Sequence, residues 1–317
     1  MLWRTLSLSE VRFTKKPDWI KVKAPIGENY LHIKETVREQ KLATVCQEAR
    51  CPNLGECWAG GTATVMLMGE VCTRGCRFCS VKTGNPQGVL DELEPFKVAD
   101  SLSSVSDLDY IVLTSVDRDD LPDGGARHFA TTISMIKEKR PDMLVEVLTP
   151  DFFGREDLLQ IVIDSQPDVF GHNMETVRRL TSRVRDKRAG YDLSLKVLEF
   201  VKKQAPERYT KTSLMLGFGE TDEEIRETLR DLRSVGCDVV TFGQYLQPTK
   251  LKLKVEEFIT PEKFNEWREE AEAMGFLYVA SGPLVRSSYR AGEFFMKGMI
   301  RHGHKRAKEI LETRNIK

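Results

Sequence analysis

Six of the seven cysteines in this 317-residue chain lie between Cys46 and Cys79. They form two triplets of different spacing, Cys46-x4-Cys51-x5-Cys57 and Cys72-x3-Cys76-x2-Cys79. A cubane iron–sulfur cluster has four iron corners, so three thiolates leave one iron for another ligand. Such an iron can bind substrate, bind a cofactor, or be dismantled. The chemistry of the chain is expected at those open corners.

Two other uses of cysteine compete with this one. A disulfide framework fits poorly: the cysteine count is odd, Met1 is followed by no charged-then-apolar leader, and a chain this long can bury a core without covalent staples. Structural zinc usually pairs a Cys-x2-Cys with a second Cys or His pair. Here each group stops at three, and the only nearby histidine, His32, precedes both. Cys237 stands apart, at the entry to an apolar run ending in Val239-Val240, and reads as a small buried hydrophobe.

The second triplet reads Cys72-Thr73-Arg74-Gly75-Cys76-Arg77-Phe78-Cys79, with aromatic Phe78 just before the last cysteine. This resembles the signature of the radical S-adenosylmethionine superfamily. The resemblance implies that Cys72, Cys76 and Cys79 hold a [4Fe–4S] cluster whose open iron is chelated by the amino and carboxylate groups of S-adenosylmethionine. One electron from the reduced cluster then splits a carbon–sulfur bond and releases a 5′-deoxyadenosyl radical. Three thiolates on one short loop can wrap one face of a cluster and leave the opposite corner facing a cavity.

These residues need a scaffold, and the middle of the chain supplies the pattern of one. Apolar strand-like runs at Thr62–Met68, Asp109–Ser115, Met143–Thr149, Val169–Met174, Thr212–Phe218 and Val239–Leu246 alternate with helix-period segments. The helical segments are Val98–Val105, Gly125–Lys139, Arg155–Ser165, Thr176–Arg183 with Asp192–Lys203, Asp222–Val235 and Pro261–Met274. Thr221 before Asp222-Glu223-Glu224 reads as a capping box, and Thr260 before Pro261 as a second N-cap. Six βα repeats predict an α/β fold, a partial (β/α)6 TIM-type barrel over residues 61–275. An N-terminal extension, 1–60, carries the first triplet, and a C-terminal extension, 276–317, begins with an apolar strand, Phe276–Ala280.

In such barrels functional groups come from the C-terminal ends of strands, and the chemically rich segments here follow the predicted strands. Asp117 and Arg118, in an acidic loop after the second strand, could orient an ammonium group and pair a carboxylate, or form only a solvated charged loop. Asn173 and Glu175 after the fourth suit ribose hydroxyls, although Asn173 could equally cap a helix. Gly217, Gly219 and Glu220 after the fifth allow close backbone approach to a ligand or merely end a strand. Within the superfamily a glycine-bearing strand end at this place lies along the bound cofactor.

Balanced charge, 48 basic against 48 acidic residues, gives no global field for nucleic acid or an anionic membrane surface. No apolar run approaches the ~20 residues a membrane helix needs. The chain reads as soluble and cytoplasmic, in a reducing interior that suits oxygen-sensitive clusters. Met1–Phe13 is short and contains Glu10, so an organelle transit peptide is not expected.

The first triplet still lacks a fourth ligand. Arg286-Ser287-Ser288-Tyr289-Arg290 follows the last apolar run, and from the residues alone its serines read as an N-cap. Together with Lys16-Pro17-Asp18-Trp19-Ile20-Lys21-Val22-Lys23 and the two cysteine groups, this segment makes the chain resemble the lipoyl synthase family over nearly its whole length, with no departure at any motif position. The resemblance implies an auxiliary [4Fe–4S] cluster on Cys46, Cys51, Cys57 and a serine, Ser288 rather than Ser287. An alkoxide is a harder ligand than thiolate, so the iron it holds can leave. It further implies insertion of two sulfur atoms at C6 and C8 of an octanoyl chain amide-linked to a carrier lysine, with the auxiliary cluster consumed as donor. Arg286, Tyr289 and Arg290 are then expected to gate Ser288 or contact the substrate amide. Expected partners are octanoylated carrier domains (a 2-oxoacid dehydrogenase E2 or the glycine cleavage H protein), ferredoxin or flavodoxin as reductant, and an iron–sulfur carrier that rebuilds the cluster.

Overall fold

The computed structural model describes residues 16–21, 28–39, 44, 47, 51, 53–59, 64–103, 110–288, 296–301 and 303. Cys46, Tyr289 and Arg290 lie outside the described residues. Seven parallel strands form one sheet in chain order: β1 (Thr64–Leu67), β2 (Tyr110–Ser115), β3 (Leu144–Leu148), β4 (Val169–Gly171), β5 (Tyr209–Leu216), β6 (Val239–Gln244) and β7 (Tyr278–Gly282). All six predicted strands occur. The fourth stops at Gly171, and the fifth begins at Tyr209, earlier than its apolar run. The reason is Lys211, a polar residue inside β5 whose ammonium meets a buried carboxylate on β3.

The seventh strand corrects the expected division of the chain. Residues near Phe276–Ala280 were assigned to an extension beyond the barrel, but Tyr278–Gly282 pairs in register with Val239–Gly243 and widens the same sheet. Of the helices, Ala126–Lys139, Glu156–Asp164, Tyr191–Gln204, Asp222–Ser234 and Pro261–Ala273 fall where the periodicity places them. The capping box is formed: Thr221 accepts from the Glu224 amide while the Glu224 side chain accepts from the Thr221 amide. The segment Thr176–Arg183 is instead broken into a 3₁₀ turn, Arg178–Leu180, and a single helical turn, Thr181–Val184.

Strand alternation divides the core into an outer and an inner set. Val65, Leu67, Ile111, Leu113, Val145 and Val147 pack under the helices around the first half of the sheet. Leu214, Leu216, Val240, Phe242 and Val279 do so around the second half. The opposite parity faces inward, and at the strand starts Tyr110, Leu144, Val169 and Val239 converge on Met296 and Met299 of the C-terminal segment. Residues from four strands can meet on two methionines because the sheet is curled. The curl also brings its edges together, since Thr64 on β1 donates a hydrogen bond to Ser288 Oγ, just past β7, at 2.9 Å.

One layer above that plug, Lys211 Nζ lies 2.8 Å from Glu146, and the Tyr110 hydroxyl donates to the same carboxylate at 2.5 Å. Both ionic side chains are almost wholly buried. Replacing one partner leaves an uncompensated charge, whereas replacing both removes the desolvation penalty. Lys211→Met is therefore expected to lower unfolding free energy by roughly 3–5 kcal/mol. The double variant Glu146→Leu/Lys211→Met should recover most of that loss in denaturant titrations; equal losses in single and double variants would refute the coupling.

Candidate active site

The C-terminal ends of the strands surround a cavity of about 470 Å³, and Cys72, Cys76 and Cys79 line it. Cys72 ends a two-residue strand, Val71–Cys72, that pairs with Lys82–Thr83 and so ties down both ends of the cysteine loop. The loop is also fixed from outside: the Thr73 amide donates to Asp117 O and the Arg77 amide to Val184 O, each at 2.9 Å. Two sulfurs already accept backbone N–H groups, Cys72 Sγ from Arg74 at 3.4 Å and Cys76 Sγ from Asp186 at 3.3 Å. Burial nevertheless pushes the Cys72 and Cys76 thiols up to about 12, and the Cys79 thiol is raised for the same reason. Ligation must therefore displace protons from all three sulfurs.

Asp117 lines the same wall, its Oδ2 3.7 Å from the Cys72 thiol that donates to it. Burial pushes its carboxyl up to about 6 against the pull of Arg74. Across the cavity stand Asn173 and Glu175, the Asn173 amide donating to Glu175 Oε1 at 3.1 Å. Burial also raises the Glu175 carboxyl. Arg185 reaches this wall as well, its Nη1 donating to Ser194 Oγ at 2.8 Å and to Met174 O at 3.3 Å. Among the described residues no carboxylate forms an ion pair with Arg185. His172 completes the network: its Nδ1 faces Thr149 O and its Nε2 faces Ser194 Oγ, each at 2.9 Å. A carbonyl only accepts, so the imidazole proton sits on Nδ1 and Nε2 accepts from the serine hydroxyl.

Of the first cysteine group, Cys51 reaches the same cavity. Cys51, Arg286, Ser287 and Ser288 all line it, together with Lys16 and Thr64. The helix Leu54–Ala59 carries Cys57 one turn beyond Asn53, whose side chain donates to Leu284 O at 2.5 Å and fastens this segment to the chain leaving β7. Cys57 is buried beside Trp58 and is not among the cavity-lining residues. Gly243 lets the C-terminal segment cross β6, because a Cβ there would stand 2.1 Å from Val285 O.

Residues 66–232 match the radical SAM superfamily, and residues 4–51 match the N-terminal domain of lipoyl synthase. A lipoyl synthase of Myxococcus xanthus is 58% identical over 90% of this chain and 96% of its own length. A mitochondrial lipoyl synthase of Schizosaccharomyces pombe is 60% identical over 90% of this chain and 78% of its own. The chain belongs to the lipoyl synthase family. In fold it is similar to the solved structure of anSMEcpe with bound AdoMet, at a TM-score of 0.51 and 11% identity over 74% of this chain and 64% of that one, a likeness of fold alone. As a lipoyl synthase family member the chain is a radical S-adenosylmethionine enzyme that inserts sulfur, uses S-adenosylmethionine and [4Fe–4S] clusters, and acts on octanoylated lipoyl carrier proteins.

The donor chemistry fits clusters of that kind. The thiols of Cys72, Cys76 and Cys79 are soft ligands at one cavity wall. Ser115 Oγ, on a lining residue, is buried with no hydrogen-bond partner among the described residues.

Not every residue singled out by sequence reaches the cavity. Arg118 was expected to be free to pair a carboxylate; it is 1% exposed, and its Nε donates to Asp120 at 2.8 Å and its Nη2 to Val89 O at 2.8 Å. Gly217, Gly219 and Glu220 also lie outside the lining. The space a Gly217 side chain would take is filled by Gln244 Nε2 and Glu257 O, and the Glu220 carboxylate turns back onto the Gly217 and Phe218 amides. Arg74 and Arg185 are the residues sequence reasoning missed. A cation inside a cysteine loop, with an aspartate after each of two neighbouring strands, was the available signal for Arg74.

Burial, followed by the nearby Arg185 charge, pushes the His172 imidazole down to about 4 from an ordinary 6.5. Between those values the unfolded chain binds a proton that the folded chain does not, so stability falls as pH drops through that window. The full effect is about 3 kcal/mol. Thermal unfolding measured from pH 7 to pH 4 should show this loss, and His172→Asn should flatten the slope; parallel slopes would exclude His172 as the cause.

Proposed function

We propose that Cys72, Cys76 and Cys79 hold the cluster at which S-adenosylmethionine is cleaved, and that Cys46, Cys51, Cys57 and Ser288 hold the cluster that donates sulfur. One observation carries this reading: Cys51 and Ser288 line the same cavity as the Cys72–Cys79 thiols, although the sequence separates them widely. Bound there, the two clusters supply one-electron cleavage and sulfur atoms, the chemistry needed at C6 and C8 carbons that carry no acidic proton.

The residues of the chain bind, orient and exclude water. Asp117 stands beside Cys72, where its carboxylate can receive the ammonium of S-adenosylmethionine. Arg185 offers a buried cation, without a carboxylate partner among the described residues, to the methionine carboxylate. Asn173 and Glu175 present an amide and a carboxyl to ribose hydroxyls, with Phe78 as an apolar neighbour. His172, held neutral and doubly hydrogen-bonded, fixes Ser194 and through it Arg185. Arg286 lines the cavity along with Cys51 and Ser288, and with Tyr289 and Arg290, which follow in sequence, it gates Ser288 or contacts the substrate amide. The apolar part of the lining, including Met66, Leu148 and Met215, suits an acyl chain.

Division of labour follows the chain: residues up to about 60 bring three sulfurs, the barrel brings S-adenosylmethionine, and the segment after β7 brings the serine. The carriers are the lipoyl domain of a 2-oxoacid dehydrogenase E2 or the glycine cleavage H protein. Ferredoxin or flavodoxin supplies electrons, an iron–sulfur carrier restores the spent cluster, and neither nucleic acid nor a membrane takes part. Among the described residues no helix is long and apolar enough to cross a membrane. Reduced thiols at both sites suit a reducing interior, the cytoplasm in a bacterial cell.

Anaerobically reconstituted chain should hold about eight irons, four per cubane. Cys76→Ala should abolish 5′-deoxyadenosine formation. Cys51→Ala should continue to form deoxyadenosine while making no dithiolane product on an octanoylated carrier. Chromatographic assay of both products checks this, and any lipoyl product from Cys51→Ala would refute the donor assignment.

A further inference from the structure

Between the first two cysteines of the loop lies a cation that is not a ligand. Arg74 is only 4% exposed. Its Nη1 and Nη2 donate to the two oxygens of Asp151 at 2.6 and 2.8 Å. Its Nε and Nη2 donate to Asp119, each at 3.0 Å, and its Nε stands 3.3 Å from Asp117. The three carboxylates follow two different strands, β2 and β3, so Arg74 ties the cysteine loop to both.

The loop after β3 is strained toward the same cation. Phe152 and Phe153 have φ of 45° and 57°, the left-handed region that bulky residues rarely enter. The turn is closed by Asp151, whose Oδ1 accepts from the Phe153 amide at 2.9 Å. Its effect is to aim the Asp151 carboxylate at Arg74 and to lay the half-exposed Phe153 ring over the guanidinium, 5.2 Å from it. Backbone strain that persists in a fold marks a geometry the rest of the fold enforces. On the far side of the loop, Asp186 accepts from the Gly75 amide at 2.8 Å, and Arg188 donates to Thr73 O at 2.7 Å while pairing with Asp119 at 2.9 Å. Thr73, Arg74 and Gly75 are thus each held by side chains from outside the loop.

We propose that Arg74 is a positioning residue: clamped by Asp117, Asp119, Asp151 and Phe153, it fixes the Cys72–Cys79 loop in its cluster-binding shape before a cluster arrives. This rests on assigning those three cysteines to the cluster that cleaves S-adenosylmethionine. A free loop would lose conformational freedom as it wrapped the cluster, and that loss would weaken binding. Pre-ordering moves the loss into folding. The planar guanidinium can pair several carboxylates two-pronged, which an ammonium cannot, so lysine is no substitute here.

The test follows the electron paramagnetic resonance signal of the reduced full-length chain that changes on adding S-adenosylmethionine, and times its loss to a ferrous chelator under anaerobic conditions. Phe153→Asn deletes the ring but keeps a residue that tolerates positive φ. It should leave the unfolding temperature of the metal-free chain unchanged while speeding loss of the signal roughly two- to tenfold. Arg74→Lys should speed it about tenfold or more, as loss of partners that orient metal ligands does. Should Arg74→Lys fail to fold, Phe153→Asn still decides. Parental rates in Phe153→Asn would overturn the clamp, as would faster loss matched by an equal fall in stability of the metal-free chain. Retention of the signal in Cys76→Ala would instead overturn the cysteine assignment, and the clamp with it.

Discussion

A seam brings Cys51 and Ser288 to the cavity that Cys72, Cys76 and Cys79 line. Parallel strands joined by helices put all their C-terminal ends on one side, but the first cysteine group precedes β1 and the serines follow β7, at opposite edges of the sheet. Only if those edges approach can both groups face the same space. They approach through the Thr64 hydroxyl on Ser288 and the Asn53 amide on Leu284 O, with Gly243 allowing the C-terminal segment to lie against β6. Without the seam the C-terminal serine and the N-terminal cysteines would have no common cavity.

The walls of the chamber and the interior below it are more polar than an ordinary core. Glu146, Lys211, His172, Arg185 and Arg74 are all nearly or wholly buried. Each has a partner: Glu146 pairs with Lys211, Arg74 with three aspartates, and His172 shares Ser194 with Arg185. Buried polar groups that are fully paired rigidify their surroundings, because any other arrangement leaves a charge or a donor unmet in low dielectric. A reaction that handles carbon radicals needs walls that neither shift nor admit water. Hydrogen-bonded and ion-paired groups stiffen those walls.

Much of this was legible in the sequence, and the reasons differ by residue. Position is legible where a strand end fixes it, and Cys72, Cys76, Cys79, Asp117, Asn173 and Glu175 all come to line one cavity. Cys237 was read correctly as a buried hydrophobe, at 0% exposure. Arg118 is not free for a ligand carboxylate, because Asp120, two residues along the same loop, takes it. At Gly217 the space a side chain would take belongs to Gln244, a residue from the next strand, and at Gly219 the nearest atoms are those of Glu256, 3.8 Å away. A strand near Phe276–Ala280 is legible from its apolar residues, but its pairing with β6 is a long-range fact that local periodicity does not carry. Arg74 was missed for the same reason, as its three carboxylates lie 43 to 77 positions away along the chain and nothing local announces them.

On the proposed assignment, the two clusters need opposite mechanical treatment, and the two sites differ in that sense. A cluster that cleaves S-adenosylmethionine repeatedly must keep its ligands, and its loop is fixed on both faces by Arg74, Asp186 and Arg188. A cluster that gives up sulfur must come apart, so rigid all-thiolate ligation would oppose the reaction. Its oxygen ligand, Ser288, is harder than thiolate and suits iron–sulfur coordination less well. It also stands past the last strand, held at the seam by one hydrogen bond from Thr64. The weaker ligand type therefore sits outside the strands of the barrel and outside the Cys72–Cys79 loop, so dismantling that begins there leaves both in place.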